Sequence, residues 1–218
     1  MRTRGVMLIV LVAAMVSSCK GRLFPVIGNG DVTAEVKPSD TSQAAAEVGL
    51  MTLRSLVRQQ NYASLGFSSL EQVQHAQLDE PMRIYRVGLD VLMGFKEGSN
   101  ADSLLIDGRK SIYPVIADQK VVSSISVTQR EDGWRATDFG NAALARALAS
   151  YRRSKDDIVV WVPAMKIYFT ARGSGESLVL TPIMDDPRFD FKAGEAMPAS
   201  RAFAVLQRSA SGYNGLPQ

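Results

Sequence analysis

The chain has 218 residues, of which 46% are hydrophobic, and a formal net charge of +3 at neutral pH. This length suffices for one sizeable domain or two small ones. The sequence has no dense basic patch interleaved with aromatic residues, so a nucleic-acid partner is not expected. One histidine and one cysteine are too few for a typical zinc site, which needs about three or four ligands.

The first eighteen residues have the layout of a secretory signal. Two arginines lie within the first four residues, and residues 7–16 form an apolar run. This run is shorter than the ~20 residues of a permanent membrane span. Small serines then lead to Cys19, the only cysteine. The pattern predicts a signal peptide over residues 1–18 that is cleaved between Ser18 and Cys19, and its removal would lower the net charge to +1.

The stretch Val16-Ser17-Ser18-Cys19 resembles the lipobox of bacterial lipoproteins. The resemblance implies that Cys19 carries diacylglycerol on its sulfur and that its amine can receive a further fatty acid such as palmitate. The alternative is an ordinary signal peptide followed by a chance cysteine, which would have no disulfide partner within the chain. Two or three acyl chains would anchor the protein stably, because a single chain binds only marginally. Since Lys20 rather than aspartate follows the cysteine, the resemblance favours the outer membrane, facing the periplasm.

Residues 19–39 contain several glycines and prolines and predict a lipidated tether with a reach on the order of 25 Å. Ser39 or Asp40 is then expected to cap a helix over residues 41–60, in which Ala46, Leu50, Leu53 and Val57 share one face. Ser68 and Glu71 have the spacing of a capping box, which predicts a second helix to about residue 77.

From Met82 the pattern changes to short strands. The predicted strands of this region cover residues 82–89, 103–107, 110–117, 121–128 and 134–139. Pro114 is expected to mark an edge or a bend. The connections are too short for crossovers, which predicts an antiparallel meander.

The remainder of the chain repeats this alternation of helix and strand. Asn141 is expected to cap a helix, residues 157–172 to form a long strand bent at Pro163, and residues 178–184 to form another strand after a tight turn. The last helix is predicted over residues 198–208, before a flexible tail over residues 211–218.

Together these elements predict an α+β fold in which antiparallel β-meanders and hairpins pack against about four helices. The globular domain is expected over residues 40–210. The order of the elements also allows a division into two small subunits near residue 140. No repeat at the level of residues supports such a duplication, and this alternative stays open.

Candidate catalytic and metal sites are few. His75 is the only available histidine base, and no nucleophile motif accompanies it. The serines after Gly173 have the pattern of a hairpin turn. Weak calcium candidates lie in one acidic loop, at Asp185, Asp186 and Asp190. We expect no cofactor, and no pair of carboxylates is singled out for glycoside hydrolysis.

Five aromatic residues fall in the predicted strands: Tyr113, Trp134, Trp161, Tyr168 and Phe169. They indicate core packing or, alternatively, a concave apolar surface for a lipid or a peptide.

The leading functional hypothesis is a non-catalytic binding or accessory module of the cell envelope, with the membrane and an unidentified envelope protein as partners. The alternatives are a carrier or sensor of an apolar ligand and an envelope hydrolase.

Overall fold

Five α-helices and nine strands are present in the part of the chain that the computed structural model describes, residues 38–210 and residue 212. The signal peptide, Cys19 and most of the predicted tether and tail lie outside these residues. The helices are α1 (Ser42–Leu56), α2 (Leu70–His75), α3 (Leu89–Met93), α4 (Ala142–Tyr151) and α5 (Ala199–Ala210). The strands are β1 (Gln77–Leu78), β2 (Met82–Arg86), β3 (Ile106–Ala117), β4 (Lys120–Arg130), β5 (Gly133–Phe139), β6 (Ile158–Val162), β7 (Ile167–Arg172), β8 (Val179–Pro182) and β9 (Met197–Pro198).

The strands form one sheet in the order β5-β4-β3-β2-β6-β7-β8-β9. The short strand β1 pairs with β3, on the same side of β3 as β2. All pairs are antiparallel except β2 and β6, which are parallel. This architecture confirms the predicted α+β class. The parallel pair joins the strands before residue 140 to those after it, so one sheet runs through both parts of the described chain.

The helices lie on both faces of the sheet. Side chains of α1 pack with Tyr113, and those of α5 with Val160, whereas α4 packs on Ile112 and Val159. Neighbouring residues of a strand point to opposite faces. Helix α4 therefore covers the face opposite to α1 and α5.

The first helix begins and ends at other residues than the sequence pattern predicts. The Thr41 hydroxyl, rather than Ser39 or Asp40, caps α1 by accepting a hydrogen bond from the Ala44 amide at 3.1 Å. The helix ends at Leu56 rather than near residue 60, because the side-chain amide of Asn61 donates to the Leu56 carbonyl at 3.0 Å.

Ser39 has a different partner. Its backbone exchanges two hydrogen bonds with Trp134, at 2.9 and 2.8 Å, and so attaches the chain to the outer edge of β5.

The N-cap of α2 lies one residue after Ser68, the residue that the sequence pattern predicts. Ser69 is the N-cap and accepts from the Gln72 amide at 3.1 Å, and the helix ends at His75. The predicted pair of Ser68 and Glu71 is not the cap, and the Ser68 amide donates to the side-chain oxygen of Gln72 at 2.8 Å.

Two predictions for the strands were wrong in part. The strand predicted over residues 103–107 begins only at Ile106, as the start of β3, because Ala101–Leu104 form a 3-10 turn in which the Asn100 side chain accepts from the Asp102 amide at 3.0 Å.

Pro114, expected at an edge or a bend, lies inside the sheet, and the register of β3 against β4 shifts just after it, between Val115 and Ile116. The Pro114 carbonyl accepts a hydrogen bond from the Asp79 amide, in the gap between the end of β1 and the start of β2. Proline has no N–H to donate, and on this side of β3 the gap leaves no strand residue that would need one.

Residues 157–172 form a hairpin rather than one bent strand. The chain reverses through a 3-10 turn at Pro163–Met165, and Lys166 adopts a left-handed φ of 58° before β7 begins. Trp161 and Tyr168 consequently become partners on adjacent strands.

Candidate functional site

A surface groove beside α4 has a volume of about 630 Å³. We call it the α4 groove. Its lining residues are Gly66, Ser68, Gln72, Lys120, Val121, Val122, Arg146, Ala149 and Ser150. They come from the segment before α2, from α2 itself, from the start of β4 and from the outer side of α4. This volume lies within the range of ~300–1,000 Å³ that is usual for small-molecule sites.

The floor of the groove is set by backbone packing. Gly66 has a φ of +97°, and a Cβ atom at this position would lie 1.9 Å from the Val122 carbonyl oxygen. Only glycine allows the two backbone segments to approach so closely. The segment before α2 therefore lies directly on β4, and the shape of the floor is fixed before any ligand binds.

One wall is held by the Gln72 side chain. Its oxygen accepts from the Ser68 amide at 2.8 Å, and its nitrogen donates to the Asp118 carboxylate at 2.9 Å. Asp118 and Gln119 both have positive φ, 51° and 59°, and form the tight turn from which Lys120 emerges. The side-chain hydrogen bond thus links α2 to the turn that positions this lysine.

Two cations line the groove, Lys120 from β4 and Arg146 from α4, and both are exposed. The structure has four ion pairs among the described residues, and neither Lys120 nor Arg146 belongs to any of them. Among the described residues no aspartate or glutamate lines the groove, although the Asp118 carboxylate lies beside it, bound to the lining residue Gln72. The two cations give the groove a local positive potential.

The structure does not bring the candidate catalytic groups together. His75 is exposed at the end of α2, a helix that contacts β3, whereas the turn at Gly173–Ser177 joins β7 to β8. In the sheet order, β7 is three strands away from β3, which corresponds to about 14 Å. The Ser177 hydroxyl donates to the Ser174 carbonyl at 2.8 Å within the turn.

The acidic loop is occupied by internal contacts. Asp186 forms an ion pair with Arg188 at 2.7 Å, and this hydrogen-bonded contact lowers the pKa of the Asp186 carboxyl. The Asp185 carboxylate accepts from the Ala193 amide at 2.8 Å, and Asp190 adopts a left-handed φ of 55°. Within residues 38–210 and 212, no three histidine, cysteine, aspartate or glutamate side chains are grouped to hold a metal ion.

The aromatic residues of the strands have different surroundings. Tyr113 and Phe169 are buried in the core, whereas Trp161 and Tyr168 are half-buried on the α4 face and stack with their ring centroids 5.7 Å apart. Burial, followed by repulsion from the Asp138 carboxylate, raises the pKa of the Tyr168 phenol. Trp134 is also half-buried, at the edge where Ser39 attaches.

Sequence reasoning missed Lys120 and Arg146. Each lies in an ordinary local context, one after a tight turn and one on the polar side of an amphipathic helix, and only the packing of α4 on β4 brings them to one groove. A turn signal followed by lysine was the only local cue.

No known protein family matches the chain, and neither a curated protein nor a solved structure is similar to it. None of the helices in the described part of the chain is long and apolar enough to cross a membrane.

Proposed function

We propose that this protein is a lipoprotein of the cell envelope whose folded domain is a non-catalytic binding module, held at a membrane by acyl chains on Cys19. The α4 groove is the observation that carries the binding role. Its side chains are suited to recognition, because they supply cations and hydrogen-bonding groups, and the groove brings no histidine or carboxylate to a nucleophile. Its shape is fixed by the backbone contact at Gly66.

The packing of the core supports a surface-binding role over that of an apolar carrier. On one face of the sheet, Leu53, Phe169 and Phe203 have no exposed surface, and on the other face Leu148 is equally buried. An enclosed apolar ligand would need space that these side chains fill. The exposed position of His75, far from the serine turn, likewise supports binding over hydrolysis.

Anchoring the domain would strengthen weak binding. Attachment at a membrane confines the domain to a thin layer, where its effective concentration toward a membrane partner is far higher than in free solution. A module with a modest groove can then function without a large interface.

The proposal is tested by the intact mass of the protein purified from its native membrane, compared with the Cys19→Ala variant. The expected mass is that of a chain beginning at Cys19 plus two or three acyl chains, and the variant should lack this lipid. After crosslinking in cells, the wild-type chain should recover partners that Cys19→Ala recovers at a much lower level. A native mass without fatty chains, or equal recovery of partners by both chains, would refute the proposal.

A further inference from the structure

We propose that the α4 groove binds a phosphate-bearing anion between Lys120 and Arg146. This inference rests on the binding role proposed above, but it does not depend on the lipid at Cys19.

Lys120 and Arg146 extend from different elements, β4 and α4, into one concave site, and neither forms an ion pair among the described residues. Two exposed like charges repel only weakly through water, whereas an anion placed between them is attracted by both. Asp118, at the adjacent turn, forms no ion pair with either cation among the described residues, and its carboxylate accepts a hydrogen bond from Gln72.

The two side chains also suit the geometry of a phosphate. A guanidinium donates paired hydrogen bonds to two phosphate oxygens, and an ammonium acts as a compact point charge beside them. The combination therefore favours a tetrahedral phosphate anion.

The rest of the groove indicates that the ligand is larger than phosphate. Ser68 supplies a hydroxyl group, and Val122 and Ala149 supply apolar surface. The Ser150 hydroxyl donates to the Arg146 carbonyl at 2.8 Å and can only accept from a ligand. A volume of about 630 Å³ also exceeds what a bare phosphate needs. A phosphate ester with a small polyol fits this chemistry, and it could be a soluble metabolite or the headgroup of a phospholipid.

Calorimetry with full-length protein in detergent tests the inference, with glycerol 1-phosphate as the probe and glycerol as the uncharged control. We expect glycerol 1-phosphate to bind and glycerol not to bind. Lys120→Gln and Arg146→Gln should each weaken binding about tenfold or more, because one charged hydrogen bond contributes about 1.5–3 kcal/mol. Arg146→Lys, which keeps the charge but loses the paired geometry, should give an intermediate affinity.

The matched control is the double variant Lys155→Gln/Arg201→Gln, which removes the same two types of charge from exposed positions outside the groove. It should bind as the wild type does. Equal weakening by this variant and by Lys120→Gln/Arg146→Gln would overturn the inference, because binding would then depend on net charge. Unchanged thermal unfolding of all variants would show that they are folded.

A second arm distinguishes the two sources of phosphate. Full-length Cys19→Ala, which lacks the proposed lipid, is mixed with vesicles of phosphatidylcholine alone or with equal parts of phosphatidylglycerol. Binding of the soluble ester alone supports a metabolite, and groove-dependent binding to the mixed vesicles supports a headgroup. If neither binds, the inference is wrong, whereas the native mass would still test the lipid anchor separately.

Discussion

Replacement of Gly66 by alanine tests the claim that the groove has a preformed floor. Two costs are expected. The first is the left-handed conformation, with φ at +97°, which costs a residue with a Cβ atom about 1–2 kcal/mol. The second is steric, because the new atom would lie 1.9 Å from the Val122 carbonyl oxygen and 2.9 Å from the Ala142 side chain. Overpacking of this kind costs about 1–3 kcal/mol or more.

The chain offers a matched control for the first cost. Gly98 has a φ of +88°, and a Cβ atom there would meet no atom of the described residues within 4 Å. We therefore expect Gly98→Ala to lower the free energy of unfolding by about 1–2 kcal/mol and Gly66→Ala to lower it by about 2–5 kcal/mol. The reduced flexibility of the unfolded chain offsets about 0.4–1 kcal/mol of the cost in both variants, so the difference between them is the quantity that reports the contact.

Urea unfolding followed by circular dichroism would measure both variants. A change in midpoint at a constant slope is the signature of altered stability without altered compactness. If the two alanine variants lose the same stability, the contact between Gly66 and β4 is not restrictive, and the groove floor is not fixed in the way that the structure indicates.

Three further results are expected. Phe203→Ala, at a fully buried site, should lower the free energy of unfolding by about 3–5 kcal/mol, and a loss below about 1 kcal/mol in urea unfolding would contradict the packing of α5. Asp157→Asn should cost about 1–3 kcal/mol in the same assay, because the buried carboxylate accepts from two backbone amides, and stability equal to wild type would contradict this role. Asp138→Asn should lower the pKa of the Tyr168 phenol, measured by ultraviolet absorbance with Tyr168→Phe as the reference, and an unchanged titration would be evidence against their coupling. Because the folded pKa of Tyr168 is raised, its contribution to stability is complete below its ordinary pKa of 10.0 and is lost as the pH rises through the folded pKa.

Local signals in the sequence predicted the class of the fold and several of its details. Asn141 caps α4 by accepting from the Leu144 amide at 3.2 Å, as its position before an apolar helical pattern indicates. The short connection between the strands predicted over residues 110–117 and 121–128 is also present, as a tight turn at Asp118 and Gln119. In these cases the determining contact lies within a few residues, so a sequence window contains all the information.

The errors arise where a distant partner decides the local structure. Ser39 fits a helix cap, but Trp134 binds its backbone from 95 positions further along the chain. Proline is typical of an edge strand, but Pro114 lies inside the sheet beside the gap between β1 and β2. The gap leaves no ladder hydrogen bond for which the missing proline N–H would be needed. The parallel pairing of β2 with β6 likewise depends on strands that are far apart in sequence.

The attachment of Ser39 to β5 has a mechanical consequence. Tension that enters the described domain from its N-terminal side reaches the sheet through the two hydrogen bonds to Trp134 before it reaches α1. These two bonds should rupture first, and they would release slack while the helix and the core beneath it stay intact. The domain would then tolerate repeated pulling from that end, since a single bridge can re-form once the load is removed.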